Sequence, residues 1–379
     1  MAGMDRRAFM RAVGRAGVAT WTLGALPPWA HAAAVPAELI ERNAWPEHLE
    51  TTLGALGRSW ITRNDRFFVR SHLPPPTIDL DRYRLEVSGL VRKPLSLTLD
   101  ELKSLPGTEA TCTLECAGNG RALFALPNTS GTQWERGAVG NATWGGFKLP
   151  FLLRRAEVLP EAKHVWFEAA DVGTLPQVPP FLRSLPLEKS MDDVVLAHSM
   201  NGEPLPRLHG APLRAIVPGW FGMASTKWLT RLRVEAAPSD NHFMAKGYHY
   251  NYPGEDPAQA PPVETLRVKS MITRPLEGGR EAIGRVRVQG LAWAGPAGVR
   301  LVETSIDKGK TWKPAGFMGD TAAAAWRMWA TEFEIKSPAR VTVMARATDG
   351  KGESQPVEAR ANAAGYGNNS IHVVRFRVA

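Results

Sequence analysis

The stretch of this chain most able to do chemistry is Cys112-Thr-Leu-Glu-Cys116-Ala-Gly-Asn-Gly-Arg121. Thr108 to Leu114 is β-prone, and the residues after Cys116 are small or turn-forming. Such residues let a backbone bend tightly and approach a bulky ligand. The pattern presents a thiol at a strand end, with a guanidinium five residues on. Nearby positive charge lowers a thiol's pKa, and the thiolate is the form that binds metals. Soft sulfur selects a soft or high-valent metal over magnesium or calcium. Spacing alone leaves two other readings open: Cys116 as a small buried hydrophobe, or as the disulfide partner of Cys112.

Other polar residues have to be brought to that sulfur. Arg66-Phe-Phe-Val-Arg70-Ser-His72-Leu-Pro-Pro-Pro76 reads as a short strand stopped by prolines, with Arg70 and His72 sharing a face by alternation. A solvated face fits that pattern as well as a binding face does. Leu208 to Trp228 sets His209, Arg214, Ser225 and Lys227 on and around an apolar strand and its glycine loop. A phosphate-bearing ligand would use that set, because Arg and Lys offer charge-assisted donors. A salt-bridged surface is the alternative. Tyr248, Tyr250 and Tyr252 gather before Pro253, where aromatic residues commonly just pack.

These motifs, taken in order, resemble one family. Cys116-Ala-Gly-Asn-Gly-Arg121 is similar to the molybdenum-ligand motif of the sulfite oxidase family. Phe67-x-x-Arg70-Ser71-His72 is similar to its Phe-x-x-Arg-Asn-His segment, with serine in place of asparagine. The resemblance runs over residues 45 to 379. It implies molybdenum bound by Cys116 and by a pterin, with Val69, Arg70, His72, Asp171, His209, Arg214, Ser225 and Lys227 around that cofactor. It also implies a substrate pocket of Arg70, Arg121 and Arg327, the last delivered by Trp326-Arg-Met-Trp329. His72 would orient the arginine side, and Tyr248 would stand beside the reacting centre, with Tyr250 as its rival. Three permanent guanidiniums favour a small doubly charged anion. The family reaction oxidises sulfite to sulfate and passes electrons to a c-type cytochrome. The sulfane dehydrogenase subunit of a thiosulfate-oxidising complex is the nearest alternative, and a methionine-sulfoxide reductase relative without a C-terminal sandwich a distant one. An exported binding module with a buried Cys116 is the non-enzymatic reading.

The fold class expected is α+β: a mixed α/β molybdopterin-binding domain of the sulfite oxidase type, followed by an all-β immunoglobulin-like sandwich. Residues 34–262 form the first domain, and Gly254 to Pro262, rich in proline and acidic residues, is its linker to the second at 263–379. Within the first domain the pattern predicts a short helix over Leu97 to Leu105, an amphipathic helix over 148–158 and a strand over His164 to Ala170. Gln133 to Gly146 reads as a glycine-rich, tryptophan-marked loop that could simply pack; the resemblance implies that it walls the site, with Arg136 as a further charge. Asn201-Gly202 reads as a hairpin turn. In the second domain, alternating runs recur at Arg267 to Ile272, Arg285 to Trp293, Arg300 to Ser305, Thr331 to Ile335, Ala339 to Ala347 and Ile371 to Val378. Gly365-Tyr-Gly-Asn-Asn-Ser-Ile-His372 resembles the family's dimerisation domain, which implies a homodimer or a heteromer with a haem subunit.

Composition narrows the class. At 379 residues, 44% hydrophobic and 22% charged, the chain has enough surface for two full cores. Of the formal charge of +9, Arg6, Arg7, Arg11 and Arg15 against Asp5 place +3 in the first residues and leave +6 spread along the rest. No basic stripe or nucleic-acid motif stands out, so nucleic-acid binding is not expected. Asp5-Arg6-Arg7-Ala8-Phe9-Met10, a weakly apolar run from Ala16 to Leu26 and Ala30-His-Ala-Ala33 read as a twin-arginine export signal over 1–33, hence a periplasmic protein. That run is about 11 residues where a span needs about 20, so no membrane anchor is expected. Two cysteines make no disulfide framework, and the sequence has no Cys-x-x-Cys-His, so no covalent haem is expected in this chain. Any electrons released must leave through another protein.

Overall fold

The computed structural model describes residues 35–124, 126, 129–173 and 178–379, so the export signal expected at 1–33 lies outside the described residues. The cysteine-bearing segment forms a nine-residue strand, Gly107–Glu115. It pairs antiparallel with Val139–Lys148, from Gly107 opposite Phe147 to Glu115 opposite Val139. That partner corrects the expected loop over Gln133 to Gly146, whose second half is a central strand. Its glycines are close-approach positions. A Cβ at Gly146 would lie 2.0 Å from the Leu196 carbonyl oxygen, and one at Gly140 2.5 Å from the Phe67 ring. Glycine here serves packing, which a composition-based reading mistakes for a bend.

Val195–Met200 continues this sheet on the far side of Val139–Lys148, and both Glu203–Pro204 and Arg214–Ile216 pair with it. The hairpin turn sits at Asn201-Gly202, with φ of 54° and 78°, the left-handed pair that such a two-residue turn demands. A second sheet runs in the order Leu95–Thr98, Arg84–Gly89, Leu229–Glu235, His164–Ala169, Leu182–Pro186. Its one parallel contact joins Arg84–Gly89 to Leu229–Glu235. The amphipathic helix is Leu149–Ala156, which buries Leu149, Leu152, Leu153 and Ala156 in the core containing Leu85, Phe167 and Leu232. The expected helix over Leu97 to Leu105 shortens to Leu99–Lys103, because Leu95–Thr98 pairs as a strand and Thr98 caps the turn in a capping box with Glu101.

The C-terminal part is a two-sheet sandwich. One sheet orders Lys269–Arg274, Gly284–Trp293, Arg327–Ile335 and Gly316–Met318. The other orders Arg280–Glu281, His372–Val378, Ala339–Asp349, Val299–Ser305 and Lys313–Pro314. Val288, Trp329, Val343 and Phe376 fill the space between them. A further apolar cluster joins this sandwich to the first part through Leu56, Val139, Phe221, Trp293 and Trp326. Trp60 and Trp326 exchange indole-to-carbonyl hydrogen bonds of 3.0 and 2.9 Å across that contact. No helix among the described residues is long and apolar enough to cross a membrane.

Candidate active site

Glu115 ends the cysteine strand, and Cys116 begins the turn that follows. The Cys116 amide donates to the Ala138 carbonyl at 2.9 Å, and its own carbonyl accepts from the Asn119 amide at 2.8 Å. Asn119 is buried and clamps the turn from inside. Its Nδ2 donates to Glu115 Oε1 at 2.9 Å, and its Oδ1 accepts from the Ala138 amide at 3.1 Å. Gly120 takes the left-handed φ of 91° that ends the turn. Both cysteines are free thiols, which removes the disulfide reading. Cys112, not Cys116, is the buried hydrophobe: it sits among Leu114, Trp134 and Trp144, and burial pushes its thiol up to about 12.

Cys116 opens onto a cavity whose non-atom space, counted with its open mouth, is about 730 Å³. Arg70, His72 and Tyr248 line it in one group, and Asp171, His209, Arg214, Ser225 and Lys227 in another. His72 and the Tyr248 hydroxyl share a 2.6 Å hydrogen bond. Burial holds the imidazole well below its usual pKa, helped by Arg70, Arg183 and Lys227, and pushes the phenol up. Both partners are therefore neutral, and one proton is shared between them without net charge.

The second group is a desolvated cationic wall. Arg214 donates from Nη1 to the His209 carbonyl at 2.7 Å and from Nη2 to the Ser225 carbonyl at 3.1 Å. Lys227 Nζ reaches Ser71 Oγ at 2.7 Å and the Leu208 carbonyl at 2.9 Å. Burial pulls Arg214 down to about 9, His209 down to about 3 and Lys227 well below the usual lysine value. Donors gathered away from water, with Asp171 as the nearby carboxylate, suit an anion, whose charge would offset the desolvation that lowers them. Asp171 is the acidic member, and burial raises it to about 6 against the pull of Lys227. Its folded pKa exceeds the unfolded value near 3.9, so without ligand its contribution is lost as pH rises from about 4 to about 6. Asp171→Asn is expected to remove up to about 3 kcal/mol of that pH dependence, read from denaturation midpoints of the cofactor-free protein.

Comparison with known proteins places this geometry. Residues 72–243 match the oxidoreductase molybdopterin binding domain, and residues 260–379 the Mo-co oxidoreductase dimerisation domain. The chain is 32% identical over 364 residues to the sulfite oxidase of Arabidopsis thaliana, covering 88% of this chain and 92% of that protein. The chain belongs to the sulfite oxidase family.

Another member of the sulfite oxidase family, the mitochondrial sulfite oxidase of Drosophila melanogaster, is 35% identical over 377 residues, and the match covers 93% of this chain. The chain spans 65% of that protein's length. The crystal structure of the sulfane dehydrogenase SoxCD from Paracoccus pantotrophus superimposes with a TM-score of 0.80 at 30% identity, over 92% of each chain. Orphaned polar atoms test whether the cavity suits the family's cofactor. Arg70 Nη1, Arg214 Nε and Asp171 Oδ1 are buried without a protein partner. Two donors and an acceptor left open on a cationic cavity fit a phosphorylated pterin, and Cys116 offers it one soft sulfur for a metal.

Several expected site residues are elsewhere. Arg327 does not line the cavity. It pairs with Ala292 within the sandwich sheet, and its guanidinium stacks over Phe317 at 4.3 Å. Val69 is likewise absent from the wall, because its amide and carbonyl are both used by Leu49, at 2.9 and 3.0 Å. Arg121 lies beside the cysteine turn, wedged against Gly118 and Gly131, with Nε on the Ala364 carbonyl at 2.8 Å and Nη1 on the Thr132 carbonyl at 2.7 Å. Between the rival tyrosines, Tyr248 lines the cavity, whereas Tyr250 packs under Arg267 at 4.2 Å. Arg136 stays half-buried, and desolvation pulls it down to about 10.

Sequence reasoning missed two residues. Arg183 places its guanidinium 5.1 Å from the Tyr248 ring and donates to the Phe243 carbonyl. Tyr366 stacks on the same tyrosine, with ring centres 5.1 Å apart and planes 18° apart. The available signal was Gly365-Tyr366-Gly367, a large ring held between two residues free to take positive φ.

Proposed function

We propose that this protein is an exported molybdenum enzyme that oxidises sulfite to sulfate and passes the electrons to a c-type cytochrome in the periplasm. The observation that carries this reading is Cys116 opening onto one cavity with a neutral His72–Tyr248 pair, Arg70 and a buried cationic wall. The wall of His209, Arg214, Ser225 and Lys227, with Asp171, would hold the pterin and its phosphate. Cys116 would give the metal its protein sulfur. When bound, the molybdenum cofactor supplies the two-electron redox chemistry. Arg70 binds the anion, and its orphaned Nη1 is the donor available for that contact. Tyr248 and His72 keep one proton at the phenol oxygen, where a departing or arriving oxygen can be hydrogen-bonded.

Metal analysis and sulfite-dependent reduction of cytochrome c test the proposal together. About one molybdenum per chain with turnover supports it, and a metal-free purified protein removes it. Arg70→Gln is expected to raise the sulfite KM roughly 10- to 100-fold, the worth of one charge-assisted hydrogen bond, with molybdenum content unchanged. Loss of molybdenum instead would make Arg70 a cofactor ligand rather than a substrate one.

A second reading has a specific observation behind it. With Arg327 stacked on Phe317, the cavity holds fewer guanidiniums than a doubly charged anion would favour. A less charged sulfane substrate, the kind named for the Paracoccus pantotrophus structure, would suit that arrangement. Poor turnover of free sulfite by a fully molybdenum-loaded protein would select it.

A further inference from the structure

The sandwich reaches the cysteine turn through the loop Asn362 to Asn368. The Gly367 amide donates to the Ala117 carbonyl at 2.8 Å, and Asn368 Nδ2 to the Gly120 carbonyl at 3.0 Å. The buried Asn362 side chain holds both backbone polar groups of Tyr366, accepting from its amide at 3.0 Å and donating to its carbonyl at 2.8 Å. Gly365 and Gly367 on either side take φ of 61° and 62°. The loop is thus built to hold one ring in one place.

That ring completes a four-layer stack. Arg183 lies over Tyr248 at 5.1 Å, Tyr248 stacks on Tyr366 at 5.1 Å, and Arg121 lies over Tyr366 at 5.4 Å. Aromatic faces attract guanidiniums, and offset rings attract each other, so each layer fixes the next. Arg121 has Nε and Nη1 on backbone carbonyls, which leaves Nη2 outside those bonds.

We propose that Tyr366 is a positioning residue that holds the Tyr248 ring in place at the cavity, so that the second domain acts on the substrate pocket through this stack. The inference rests on the reading that the pocket takes a sulfur oxyanion. A leucine would fill much of the space but could neither stack on a ring nor face a cation. A phenylalanine keeps both contacts and drops only the hydroxyl.

The test uses the molybdenum-loaded protein and inorganic sulfate as probe, with affinity measured by calorimetry beside sulfite kinetics. Tyr366→Leu is expected to weaken sulfate binding about tenfold and to raise the sulfite KM in parallel, with Tyr366→Phe within about twofold of the unmodified protein. Tyr366→Gln, polar and of similar length, repeats the loss and serves if the leucine variant does not fold. Unchanged sulfate affinity in Tyr366→Leu or Tyr366→Gln, or an equal loss in Tyr366→Phe, overturns the inference. If the unmodified protein turns over no sulfite but Tyr366→Leu still loses sulfate affinity, the reaction assignment fails and the positioning role stands. Normal sulfite turnover with no loss of sulfate affinity in Tyr366→Leu keeps the reaction assignment and removes the positioning role.

Discussion

Cys116→Ser is expected to lower sulfite oxidation by more than about a thousandfold while the protein stays folded and keeps its pterin. The exchange is almost isosteric, and the turn that carries it is fixed by backbone bonds to Ala138 and Asn119 that do not involve the side chain. The pterin's proposed contacts are made by Asp171, His209, Arg214, Ser225 and Lys227, all remote in sequence from the thiol. What changes is the donor atom. An alcohol is a hard, poorly ionised ligand where the proposed site needs a soft thiolate. Cys112→Ser is the matched control. It puts a hydroxyl among Leu114, Trp134 and Trp144, so it should cost about 1–3 kcal/mol of stability and leave turnover per folded molecule intact. Activity assays paired with denaturation curves separate the two. An active Cys116→Ser enzyme would remove the sulfur from the reaction.

How far the sequence could be read depended on what set each residue's environment. The helix Leu149–Ala156 was legible because its apolar spacing is local, with Leu149, Leu152, Leu153 and Ala156 inward and Arg154 and Arg155 at the end. The sandwich strands were legible for the same reason. Val139–Lys148 was not, because Gly140, Gly145 and Gly146 look like turn residues until Phe67, Ser199 and Leu196 are packed against them. Residue types left a salt-bridged surface open for His209, Arg214, Ser225 and Lys227, and the family resemblance grouped them; the four line one cavity. Arg327 failed for a geometric reason. Its strand register places it opposite Ala292, on the side where Phe317 offers an aromatic face, and no local pattern encodes that choice. Tyr366 could not have been found by periodicity, since its place is set by Asn362 and by two left-handed glycines in a loop.

The residue just before the thiol carries the other large expected effect. Glu115 is buried, and its carboxylate accepts three hydrogen bonds: Oε1 from Lys269 Nζ at 2.8 Å and Asn119 Nδ2 at 2.9 Å, and Oε2 from the Trp293 indole at 2.8 Å. Lys269 and Trp293 are paired neighbours on adjacent strands of the sandwich sheet. The second domain therefore neutralises and aims the group on which the cysteine turn is built. Burial pulls the Lys269 ammonium down, and Glu115 offsets part of that pull. Such a pair adds little over an apolar equivalent, but removing one member leaves an uncompensated charge in a dry interior. Lys269→Met is accordingly expected to cost about 3–5 kcal/mol and to lower molybdenum retention, since Asn119 and the Cys116 turn share the same carboxylate. The double variant Glu115→Gln/Lys269→Met keeps the volumes and removes both charges, so it should recover most of the stability and much of the metal. Denaturation midpoints and metal analysis across the cycle decide the point. If both variants lose the same amount, what matters is the lysine's packing rather than its charge, and the two domains are not coupled through this ion pair.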